Sequence, residues 1–184
     1  MIIKSNKMFL NRDKIRYLLL FFISYIFVSF TNVEEYHLPA KSLFRIERSK
    51  DSDQIVYEPN ITAQGKLNIN NPVKVYWLKP SDANKTEPIS WIQKNFSYGL
   101  TFLNIMETEA KFQFVSYNKR TFKLRKNDNG DYQVFTNSLN KRVALNRIFI
   151  QIDGGTFWFP NITKIDIYST DIKTGKTIIE TINP

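Results

Sequence analysis

From Leu43 onward, apolar and polar side chains alternate in short runs separated by turn-forming residues. This period of two constrains the fold more than any other feature of the chain. In Leu43–Ser49 the pattern turns Phe44, Ile46 and Arg48 to one face and Leu43, Arg45, Glu47 and Ser49 to the other. The same reading places strands at Gln54–Tyr57, Val73–Leu78, Leu100–Met106, Ala110–Ser116, Thr121–Lys126, Tyr132–Thr136, Arg142–Ile152, Ile162–Thr170 and Lys176–Ile182. Asn127-Asp128-Asn129-Gly130 marks a hairpin, because Asn-Gly tolerates positive φ. Arg142–Ile152 is apolar on both faces, which suits a central strand. Lys79–Pro88 reads as a loop. Only Ile89–Tyr98 has helical spacing, with Ile89, Ile92 and Phe96 on one side, Ser90 as a cap and Gly99 as a stop. The expected fold is therefore mainly β: one antiparallel β-sandwich or open barrel with a single short helix.

The start of the chain has a different character. Residues 1–31 hold five basic side chains against one acidic, and Tyr17–Phe30 is uncharged and strongly apolar. A basic leader before an apolar core is the layout of an export signal. Fourteen residues are short for a membrane span, which needs about 20. The expectation is a cleaved signal peptide, or an uncleaved anchor touching the membrane only through residues 17–30, with everything after it exported. Residues 32–42 form a polar linker, and one β domain follows over residues 43–184.

Composition removes several chemistries. The chain has no cysteine and one histidine, His37 in the linker, so thiolate sites, disulfides and histidine-based triads or zinc centres have little to build on. No catalytic residue, metal site or cofactor is expected. The net charge of +9 divides into +4 in the leader and +5 in the remainder, an ordinary surplus for a domain. The basic run Lys119-Arg120, Lys123 and Arg125-Lys126 alternates like a solvated strand face, so nucleic acid is not an expected partner.

Other motifs are weaker than they look. Gly175-Lys176-Thr177 lacks the upstream glycine and following helix of a phosphate loop. Asn127–Asp131 resembles a calcium loop but lacks its distal glutamate and sits in a hairpin. Four Asn-x-Ser/Thr sequons, at Asn60, Asn84, Asn95 and Asn161, fit the chain's richness in asparagine and threonine. Trp77 and Trp91 are expected in the core. Phe157-Trp158-Phe159 must leave at least one aromatic outside, because adjacent strand residues face opposite ways.

Arg48-Ser49, Val56-Tyr57 with Asn60, Pro72-Val73-x-Val75-Tyr76-Trp77, Tyr98-Gly99 and Thr174-Gly175 with Glu180 resemble a bacterial family of exported β-rich proteins catalogued only as a domain of unknown function. The resemblance covers nearly all of residues 43–184. It implies an envelope or secreted β domain and supplies no activity.

The sequence thus points to an exported, non-enzymatic binding or structural module of the cell envelope, with an envelope glycan or another envelope protein as its partner. Its expected ligand-binding residues are Arg48, Tyr57, Asn60, Trp77 and Tyr98. Arg48 is central: it lies on the face of Phe44 and Ile46, so its charge must reach outward, pair with an acid such as Glu58, or receive an anionic ligand. Two other readings stay open. A carboxylate-dependent, carbohydrate-active hydrolase requires Glu47, Glu58 or Asp153 to converge in one cleft. A small-ligand or lipid carrier requires an apolar cavity between the sheets.

Overall fold

The computed structural model describes residues 42–156 and 159–184. The leader, His37, Phe157 and Trp158 lie outside the described residues. Eleven strands and one helix follow in order: β1 Phe44–Arg48, β2 Asp51–Pro59, β3 Val73–Lys79, β4 Lys85–Pro88, α1 Trp91–Phe96, β5 Leu100–Ile105, β6 Glu109–Phe114, β7 Tyr117–Lys126, β8 Tyr132–Ser138, β9 Lys141–Gly155, β10 Pro160–Asp171 and β11 Thr177–Ile182. All strands belong to one sheet, in the order β4-β3-β2-β1-β9-β8-β7-β6-β5, with β10 and then β11 added beside β9. The described residues are mainly β with one short helix, as the periodicity requires, and the sheet curls into a half-barrel.

One ladder departs from the antiparallel expectation. β1 runs parallel to β9, with Arg45 opposite Arg147 and Arg48 opposite Ile150. Hairpins make sequential strands antiparallel, but nothing local fixes the direction in which strands far apart in the chain meet. The loop expected over Lys79–Pro88 also contains β4, a four-residue edge strand paired to the end of β3. Its Lys, Thr, Glu and Pro carry no apolar alternation, so the pattern gave no sign of it.

The long β9 organises the sheet. Along one edge it meets β10 over most of its length. Along the other it meets two strands in succession: β8 from Lys141 to Ala144, then β1 from Arg147 to Ile150. The sheet therefore forks at Leu145 and Asn146. One arm carries β1 to β4, the other β8 back to β5, and their inner faces pack together.

The core is aromatic where the arms meet. Phe44 stacks on Tyr57 at 4.2 Å, and Phe114 from the other arm meets both edge-on at 6.0 and 5.9 Å. Phe122 lies 5.3 Å from Phe114 and 5.5 Å from Phe112, extending the cluster. An apolar slot that reaches this interior, beside Ile46, Phe114 and Ile165, holds only about 90 Å³. Ligand cavities usually measure about 300–1,000 Å³, so this slot is too small to be one.

The last strand is tied across the concave side. Arg120 of β7 grips the Glu180 carboxylate of β11 with both terminal nitrogens, one at 3.1 Å, and the Ser138 hydroxyl of β8 donates to the same group. Arg120, and behind it Ser138, hold the Glu180 carboxyl below the usual range, against an opposing push from burial. The basic run of β7 is thereby divided between faces: Arg120 turns inward, Lys123 pairs with Glu109 at 2.6 Å, and Arg125 lies 4.9 Å over the Phe135 ring.

Candidate functional site

Four of the five expected ligand-binding residues come together at the end of β1. The Arg48 guanidinium lies over the Trp77 ring, 4.6 Å from its centroid, and donates to Asp51 at 2.6 Å and to the Tyr98 hydroxyl at 3.4 Å. Trp77 meets the Tyr98 ring edge-on at 5.7 Å. The Tyr57 hydroxyl, within the core, donates to the Tyr98 carbonyl at 2.7 Å, and burial, with Tyr98 behind it, pushes that phenol's pKa well up.

Local structure explains the convergence. Ile46 pairs with Ile55 and Ile55 with Trp77, so the row of inward positions runs from β1 through β2 to β3. The helix supplies the rest. Ser90 and Gln93 close a capping box, the Ser90 hydroxyl accepting from the Gln93 amide at 3.2 Å and the Gln93 side chain accepting from the Ser90 amide at 2.9 Å. The same Gln93 oxygen accepts from the Trp77 indole at 3.1 Å. A helix of six residues is marginal alone, so these contacts anchor it, and it in turn delivers Tyr98.

Asn60 does not join them. It sits five residues beyond Ile55, the partner of Trp77, about 16 Å along the strand at 3.3 Å per residue. There its side-chain amide donates to the Asn71 carbonyl at 2.8 Å and fastens the loop after β2. Arg48 also takes a different acid from the one expected. Glu58 accepts from the Tyr76 hydroxyl at 2.5 Å, whereas a break in the β1–β2 register at Arg48 brings Asp51 alongside. The alternation located the face of Arg48 but not the turn acid that would meet it.

The cluster braces β1, β2, β3 and α1 against one another, while the buried Arg48 Nε has no hydrogen-bond partner among the described residues. Replacing Arg48 by alanine uncovers Trp77 and releases Asp51. Asp51 is 40% exposed, which limits the ion pair to less than about 1 kcal/mol. The cation–π contact adds about 1 kcal/mol. Urea denaturation should therefore show Arg48→Ala less stable by about 1–2 kcal/mol; unchanged stability would remove Arg48 from the brace.

The three candidate carboxylates stay apart. Glu47 is held by Arg45 and, at 2.6 Å, by Arg147. Its neighbour on β2 is Gln54, about 13 Å along the strand from Glu58, and Asp153 lies about as far in the opposite direction on β9. Strand register, absent from a single chain's pattern, separates them. Trp91 also differs from expectation. Trp77 is core, but Trp91 is 71% exposed and meets the exposed Phe96 edge-on at 5.9 Å. One and a half turns of helix cannot bury a whole apolar stripe, and no residue of α1 is buried. Phe159 is 83% exposed, the outward aromatic that three in a row demand.

A large open space lies where the sheet forks. A groove of about 560 Å³ runs between the two arms at Leu145 and Asn146. Leu43, Phe44, Pro59 and Ile61 form an apolar side, and Lys126, Asp131, Tyr132 and Gln133 a polar one. The Lys126 ammonium lies 5.3 Å from the Tyr132 ring centroid. The Tyr132 hydroxyl faces the Gly65 carbonyl at 3.3 Å, and burial raises its pKa. Among the described residues the side chains of Lys126, Asp131 and Gln133 have no hydrogen-bond or ion-pair partner. The sequence marked Asn127–Asp131 only as a turn. In the structure the Asn127 side chain accepts from the Asn129 and Asp131 amides, both at 2.9 Å, which closes the turn and aims Asp131 at the groove.

Fold and groove together define a mainly β half-barrel with a ligand-sized opening at a strand fork. The family model described as Domain of unknown function (DUF4833) matches residues 44–181, and the chain belongs to that family. No curated protein matches the chain, and no solved structure does.

Proposed function

We propose that this protein is an exported, non-enzymatic binding module of the bacterial cell envelope, and that it takes its ligand in the groove at the fork of β9. The carrying observation is the groove itself: about 560 Å³, apolar on one side, with three unpartnered polar side chains on the other. That volume and mixture are those of ligand sites. Export is supported by the basic leader and apolar Tyr17–Phe30. The Arg48 cluster serves this site indirectly, by holding the β1–β2 arm in place.

Cell fractionation of the producing organism, with the native chain followed by antibody, should find it in the envelope or outside the cell. The double variant Lys126→Glu with Gln133→Ala should lose at least tenfold of its binding to isolated envelopes while its circular dichroism stays unchanged. A cytoplasmic location, or undiminished envelope binding by the variant, would overturn the proposal.

A further inference from the structure

At the fork, segments of three strands have a neighbouring strand on one side only. The β8–β9 ladder ends at Phe135 and Ala144, so Tyr132 and Gln133 pair only with β7. The β1–β9 ladder begins at Arg45 and Arg147, so Phe44 pairs only with β2, and Leu43 bonds only to Tyr57 there. Between them, Leu145 pairs only with Ser169 of β10, while Asn146 falls at an irregularity in that ladder. All six residues line the same groove.

Where a strand has no neighbour on one side, every second residue turns its amide and carbonyl that way, and the well-matched partner of such groups inside a groove is the backbone of another extended chain. A glycan offers hydroxyls but no repeating amide ladder. The side walls fit the same occupant. A strand lying between the arms turns alternate side chains toward Leu43, Pro59 and Ile61 and toward Lys126 and Gln133. Residues 32–184 carry a surplus of five positive charges, which favours a peptide of net negative charge; at the groove Lys126 would meet its acidic side chains, and Asp131 its amide or basic ones.

From this geometry we infer that the fork groove binds an extended, acidic peptide segment of another protein by strand addition between β8 and β1. The inference rests on the groove being the ligand site, and it names the ligand as polypeptide.

The test begins with a random heptapeptide display library panned on the purified protein. Selected peptides should be acidic, and hydrogen exchange should slow at Leu43–Phe44, Tyr132–Gln133 and Leu145–Asn146 when they bind. N-methylation of alternate peptide amides removes backbone donors and keeps every side chain; it should weaken binding at least tenfold. Lys126→Glu should weaken it as well, with the fold intact by circular dichroism. No enrichment, protection elsewhere, or tolerance of N-methylation at all positions would overturn the inference. So would a concentration-dependent dimer protecting the same amides without peptide, since the occupant would then be a second copy. If envelope binding still responds to Lys126→Glu with Gln133→Ala while no peptide is selected, the groove remains the site and only its peptide ligand is lost.

Discussion

Replacing Phe114 by alanine should cost the domain about 3–5 kcal/mol, the usual range for deleting a buried phenylalanine. Phe114 is the β6 residue that meets Phe44 and Tyr57 across the two arms of the sheet and also touches Phe112 and Phe122. No small neighbour can slide into its place, because four aromatic rings rest on it in fixed edge-on geometry. Domain stability is typically about 5–15 kcal/mol, so the loss removes a large share. Urea unfolding should show a lower midpoint with an unchanged slope. A loss of unfolding free energy below about 1 kcal/mol would mean that the arms are held by something other than this aromatic junction.

The second large effect is expected at Gly99. A methyl group built there would lie 1.7 Å from the Lys94 carbonyl oxygen and 2.7 Å from its carbon, inside the last turn of α1. Both obstructing atoms are backbone, so no side-chain rotation relieves the overlap. Either α1 lifts or β5 moves, and each is tied down. The Tyr98 amide donates to Gln93 at 2.8 Å, and the Gly99 carbonyl accepts from Val115 at 3.0 Å. Gly99→Ala should therefore lower stability by about 3 kcal/mol, the upper end for forced overpacking. It should also disturb the fluorescence of Trp77, since Tyr98 and Gln93 both contact that ring. A loss below about 1 kcal/mol would show that the turn between α1 and β5 relaxes freely.

Several residues of the family-like pattern acquire structural roles through these contacts. Arg48, Tyr57, Trp77 and Tyr98 form the brace, Gly99 admits the helix end, and Glu180 anchors β11 through Arg120 and Ser138. Their grouping could be suspected from the chain because Ile46, Ile55 and Trp77 each stand on an inward face. Asn60 carries the same signal in sequence yet lies at the other end of β2, where it fastens a loop. Alternation reports which face a residue takes and says nothing of its height along the strand. The carboxylates Glu47, Glu58 and Asp153 failed to converge for that reason.

The sequence by itself determined that this is a β domain, where most of its strands begin and end, that one helix interrupts them with Ser90 as its cap, and that Arg48 lies on the buried face of β1. These are local properties, written in side-chain period, turn chemistry and capping. Only the tertiary structure decided that β1 lies parallel to β9, that β8 and β1 share one edge of that strand, and that a groove opens between them. Those facts depend on pairing between segments about a hundred residues apart, as Arg45 with Arg147. Such pairing is chosen by the packing of whole faces, Phe44 and Tyr57 against Phe114, and no short stretch of chain contains it.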